Sequence, residues 1–132
     1  MAIIKLAIDL DSSITNIYML GSGMVLSEPT VAAVGTDGKD DIKAFGAEAR
    51  KLIGKTAENT KIVFPVFEGE IVNERVASRL LQEFLRKIDI KSRLANVQAI
   101  MSVPCGASPE MISKYEEVAK NAGISKVYFA EA

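Results

Sequence analysis

The sequence predicts an α/β fold, a mixed sheet flanked by helices, and three observations carry that reading. The last third runs strand, helix, strand: Val97–Val103, a helical stretch opened by Ser108, then Lys126–Ala130. Such a unit pairs its strands in parallel through a right-handed crossover. The first third instead holds closely spaced apolar runs joined by polar or glycine turns, the pattern of antiparallel strands. At 132 residues, 48% hydrophobic, 25% charged and net charge −1, the chain has the make-up of one globular domain.

Taken in order, Ile3–Leu10 is an apolar run that carries Asp9 and passes through Asp11, Ser12 and Ser13 into a second run, Thr15–Leu20. Gly21-Ser22-Gly23 makes a tight reversal. The strands Thr30–Gly35 and Ile42–Phe45 are joined by the polar tip Asp37-Gly38-Lys39-Asp40-Asp41. A short helix from Ala47 to Ile53 stops at Gly54, and Lys61–Phe64 is a further strand. From Glu74 to Ile88, the residues Val76, Leu80, Leu81, Phe84, Leu85 and Ile88 recur at helical spacing behind the cap Asn73. The next helix has Ser108 as N-cap, Pro109 at its first position and Glu110 against the dipole, and it ends at Gly123. Lys126–Ala130 reads as a buried strand.

Composition excludes several chemistries. The absence of histidine removes Ser-His and Cys-His nucleophiles and most zinc sites. The single Cys105 cannot form an internal disulfide, which fits a reducing compartment, and without a histidine partner it is not read as a nucleophile. No basic stripe supports nucleic-acid binding, since Lys87, Lys91 and Arg93 sit beside Asp89. No apolar run approaches the roughly 20 residues that cross a bilayer, and the first strand is broken by Lys5, so a cytoplasmic protein is expected. Gly54-Lys55-Thr56 is not a P-loop, because the glycine required five residues earlier is Ala49.

The turn from Asp9 to Thr15 is the main candidate site. Amides of a tight turn together with hydroxyls cradle phosphate, whereas Asp-Ser-Ser also suits an ordinary β-turn. Further segments accompany it: Gly21 to Val31, Gly46-Ala47-Glu48-Ala49-Arg50 on to Thr56, Glu68-Gly69-Glu70-Ile71, Val103-Pro104-Cys105-Gly106 and Ala122 to Val127. In this order the set resembles the bacterial actin-like rod-shape family, MreB, from Ile3 to Glu131.

The resemblance implies the first half of a ribonuclease H-like, actin-like ATPase fold. Its base subdomain would comprise 1–29 and 65–132, and a small satellite subdomain about 30–64. It implies an ATP-dependent cytoskeletal filament subunit for cell shape, with ATP and magnesium as cofactors, or none if the site is vestigial. The implied partners are itself or other actin-like subunits, with no nucleic acid.

Residue by residue, the resemblance implies that Asp9 holds magnesium through water, and that Ser12, Ser13 and Thr15 belong to the phosphate loop. Asp11 departs from the family glycine and Ile14 from an asparagine. Like charges about 4 Å apart repel by about 1 kcal/mol in water and more in a drier site, so a weak or vestigial phosphate contact is expected. The family's water-positioning glutamate falls at Ala132, next to Glu131; a methyl cannot orient water, and no ATPase activity is expected of this chain. Peripheral contact with the inner membrane would fall on Ile90 and Leu94 in the 89–96 loop. The alternatives are a trimmed part of a competent ATPase and a nucleotide-free module that binds an actin-like partner.

Overall fold

A computed structural model describes residues 3–90 and 96–132. Its main sheet has five strands in the order β10-β9-β1-β2-β3. These are β1 (Ile3–Leu10), β2 (Ile14–Met19), β3 (Gly23–Pro29), β9 (Asn96–Val103) and β10 (Lys126–Glu131). β1 pairs in parallel with β9, and β9 with β10, as the strand-helix-strand pattern demands. β2 and β3 add antiparallel strands on the other side, which makes the sheet mixed. The third strand is therefore Gly23–Pro29, a segment the sequence reading left out. A bulge where Ile17/Tyr18 face β3 breaks its alternation, and Pro29 closes it.

A second, three-stranded sheet has the order β5-β4-β6, from β4 (Ala32–Gly35), β5 (Ile42–Phe45) and β6 (Thr60–Val63). Helix α1 (Ala47–Arg50) follows β5, and a small hairpin, β7 (Val66–Phe67) with β8 (Glu70–Ile71), leads back to the main sheet. α2 (Glu74–Lys87) starts where Asn73 Oδ1 accepts the Val76 N–H at 3.0 Å. α3 (Pro109–Asn121) starts where Ser108 Oγ accepts the Met111 N–H at 3.2 Å. Both caps satisfy otherwise orphaned amides.

One core joins these parts. Leu6, Ile8 and Leu10 of β1 pack with Leu80, Leu81 and Phe84 of α2 and with Tyr115 and Val118 of α3, all at 4% exposure or less. Ala32 and Val34 of the second sheet belong to the same cluster, and the Phe45 ring meets Phe84 edge-on at 5.7 Å. Arg79 of α2 donates to the carbonyls of Lys39 at 2.6 Å and Asp40 at 3.1 Å, tying the β4–β5 tip to the helix.

The opposite face of the main sheet is uncovered among the described residues. Tyr128, Ile100, Ala7, Tyr18 and Met24 occupy matched ladder positions on successive strands. All are exposed, the four large ones by 42% to 55%. Adjacent strands lie about 4.8 Å apart, so this apolar row is about 19 Å long. β10 is accordingly an edge strand with Val127 and Phe129 half-buried and Tyr128 open, not the buried strand that its composition suggested.

Candidate functional site

β1 and β9 run in parallel, so their C-terminal ends lie side by side, the usual place for a ligand on an open α/β sheet. Asp9 sits there half-buried and accepts the Ser102 hydroxyl at 2.9 Å. The Leu10–Thr15 pair closes the β1–β2 ladder, and the Asp11 N–H reaches the Ile14 carbonyl at 3.3 Å across the turn. A cavity of about 340 Å³ opens beside this turn, lined by Asp9, Asp11, Ser12, Gly69, Ser102 and Tyr115 among others.

The β7–β8 turn forms the second wall. Glu68 and Gly69 both have positive φ (49° and 80°), as a tight two-residue hairpin requires. The Gly69 N–H donates to Ser12 Oγ at 3.2 Å, and the Tyr115 hydroxyl donates to the Gly69 carbonyl at 2.6 Å. A Cβ at position 69 would lie 2.6 Å from the Pro104 ring, so only glycine fits. Burial, with the charges of Asp11 and Asp9, pushes the Tyr115 phenol up to about 12. Neither the hairpin nor Tyr115 was picked out by sequence reasoning as part of the site. The available signal was Glu68-Gly69-Glu70 between the apolar pairs Val66-Phe67 and Ile71-Val72.

The expected site residues separate in space. Asp9, Asp11 and Ser12 line the cavity. Ser13 is exposed on the turn, and its carbonyl takes the Thr30 N–H at 3.0 Å. Thr15 is a correction: it is fully buried, with its hydroxyl paired to that of Thr30 at 2.7 Å, so it braces the turn from behind. Ala132 lines the cavity, while the exposed Glu131 carboxylate accepts the Gly106 N–H at 3.0 Å. That bond, with a second from Cys105, holds Glu131 below the usual carboxylate range.

Ile90 also needs correcting as a membrane contact, because it is only 2% exposed. α2 ends with Asp89 in the left-handed region (φ 66°), the Asp89 N–H bonding the Arg86 carbonyl and the Ile90 N–H the Leu85 carbonyl. This Schellman termination folds the following apolar residue back onto the helix. Leu94 lies outside the described residues. Among the described residues no group of three or more acidic or cysteine side chains forms a metal cage. A hydrated magnesium ion needs less, one or two carboxylates beside substrate phosphates, and Asp9 fits that role.

A mixed sheet in this strand order, with a short polar turn between its first two strands, is an actin-like fold. Solved structures share it: MreB 5 of Spiroplasma citri bound to AMPPNP superposes with a TM-score of 0.84 at 24% identity, covering 99% of this chain and 39% of that one. The MamK double helical filament gives 0.77 at 16% identity, covering 98% and 41%.

The family model for the MreB/Mbl protein matches residues 3–132, and the chain belongs to that family. It is 31% identical over 130 residues to the cell shape-determining protein MreB of Escherichia coli, and 29% identical over 126 residues to the cell shape-determining protein Mbl of Bacillus subtilis. In both cases 96% of this chain is covered, but it spans only 38% of the relative's length.

Proposed function

We propose that this chain is the N-terminal actin-type part of a cytoplasmic cell-shape protein, assembling with itself or other actin-like subunits. It touches nucleotide phosphates weakly through Asp9 and Ser12 and does not hydrolyse ATP by itself. The observation that carries this reading is the family match over residues 3–132. Similar structures of Spiroplasma citri MreB5 bound to ADP or AMPPNP, and of the MamK double helical filament, support the nucleotide and assembly parts. The two separate sheets support a base subdomain of 1–29 and 65–132 with a satellite at about 30–64.

In the phosphate site, Asp9 would hold a hydrated magnesium ion, which neutralises phosphate charge when bound. Ser12 and the turn amides meet the phosphates, and Asp11 opposes them. Assembly draws on the apolar row across the main sheet, because an open stripe of this kind is lowered in free energy by covering it. Sedimentation velocity tests this part. The expected result is concentration-dependent association that Ile100→Lys abolishes, together with co-sedimentation with a full-length MreB relative. A chain that stays monomeric and ignores the relative's filaments would overturn it.

A further inference from the structure

We propose that Tyr115 is a positioning residue for the phosphate turn: by holding the carbonyl of Gly69 while Pro104 restrains its Cα, it fixes the glycine whose N–H anchors Ser12, and so sets the direction in which the Ser12 hydroxyl donates. This rests on the phosphate-contact reading above.

A serine hydroxyl has one hydrogen to give and two lone pairs to receive with. In this structure the Gly69 N–H already occupies one lone pair of Ser12 Oγ, at 3.2 Å. The oxygen is thereby anchored, and its own hydrogen is left to donate to an acceptor in the cavity that Ser12 lines. An acceptor-rich phosphate suits that hydrogen. Without the anchor, the hydroxyl is free to rotate toward other acceptors nearby, Asp9 and Asp11 among them.

The anchor is only as firm as Gly69, whose N–H and carbonyl belong to successive peptide groups hinged at its Cα. Gly69 sits at the tip of a hairpin whose strands have two residues each, too short to hold it rigidly. Two outside groups fix it. The Pro104 ring packs against its Cα side, leaving no room for a Cβ. The Tyr115 hydroxyl holds its carbonyl at 2.6 Å from a helix 46 residues further along the chain. Tyr115 is 1% exposed, so its ring is held by the core and delivers the hydroxyl from a fixed point. α3 thus reaches through the hairpin to Ser12 without touching a ligand.

The test is a double-mutant cycle on the affinity of the whole chain for MgATP, read by NMR titration. Tyr115→Phe and Ser12→Ala are each expected to weaken binding about fivefold, the worth of one hydrogen bond. In the Ser12→Ala background, Tyr115→Phe should change affinity by less than about twofold, because the group it acts through is gone. A purely structural role for Tyr115 would give additive losses instead. Additivity, or Tyr115→Phe binding as tightly as the unsubstituted chain while Ser12→Ala is weaker, overturns the inference and leaves phosphate contact standing. No measurable binding by the unsubstituted chain overturns both. Should Tyr115→Phe not fold, the unsubstituted chain still decides. The Gly69 amide and the Tyr115 ring signals must shift together on adding MgATP, and a Gly69 shift alone contradicts the coupling.

Discussion

Ser102 on β9 donates its hydroxyl hydrogen to Oδ1 of Asp9 on β1 at 2.9 Å. The bond crosses the parallel ladder and fixes the carboxylate at the mouth of the cavity. Among the described residues, no hydrogen bond engages Oδ2, and under the proposed function that oxygen would face a water-bound cation. Asp9→Asn keeps the shape and removes the charge. The expected outcome is that nucleotide contact loses its magnesium dependence, measured by titrating ATP with and without magnesium. An unchanged dependence would place the ion elsewhere.

Asp11 is exposed on the same turn and lines the same cavity. Asp11→Gly removes a charge that repels phosphate by about 1 kcal/mol in water, so MgATP should bind about fivefold more tightly. Calorimetry of the two chains measures the difference directly. Equal affinities would show that solvent screens Asp11 completely.

Glu28 ties β3 of the main sheet to α1 and α2. Its carboxylate accepts the Ala47 N–H at 2.8 Å and pairs with Lys87 of α2, with only 11% of the side chain exposed. Burial works to raise its pKa, but the Lys87 bond, the Ala47 N–H and the charges of Lys87 and Arg50 together bring it below the usual carboxylate value. A lowered folded pKa means that this stabilisation is present above the ordinary carboxylate range and is lost as pH falls through the folded value. Acid unfolding should therefore be shallower in Glu28→Gln than in the unsubstituted chain. Gly46→Ala would press a methyl against this same carboxylate at a residue with φ 63°, and a loss of about 1–3 kcal/mol is expected in urea unfolding.

Tyr115 gives the opposite pH signature. Its folded pKa, about 12, is above the ordinary tyrosine value of 10.0, so its contribution is complete below pH 10 and is lost as pH rises toward 12. Stability measured across that alkaline window should fall less steeply in Tyr115→Phe. Equal slopes would mean that the phenol ionises alike in both states.

Much of this fold was legible because its strongest elements signal themselves locally. Asn73 and Ser108 mark helix starts by supplying side-chain acceptors, and the strand-helix-strand order of 96–131 dictates parallel pairing. What escaped depends on tertiary context. β3 hides behind a bulge, and the β7–β8 strands are too short to show any period. Ile90 looks like a loop residue until Asp89, an unusual left-handed helix stop, turns it inward. Asp9, Asp11 and Ser12, singled out by residue type and by the family resemblance, line one cavity at the β1–β2 turn. Thr15 does not, and only the fold reveals that Thr30 takes its hydroxyl. Tyr115 reaches the site from a helix far along the chain, which no local motif encodes.

The most direct measurement is a residue-resolved NMR titration of the unsubstituted chain with MgATP, with released phosphate followed in the same sample. The expected result is a saturable shift confined to Asp9–Ile14, Gly69, Ser102 and Tyr115, with a Kd on the order of 1 mM and no phosphate release. Absence of any shift would make the turn a fold signature only and favour a nucleotide-free interaction module. Steady phosphate release would contradict the reading just as plainly, by showing that this chain hydrolyses ATP without a glutamate at position 132.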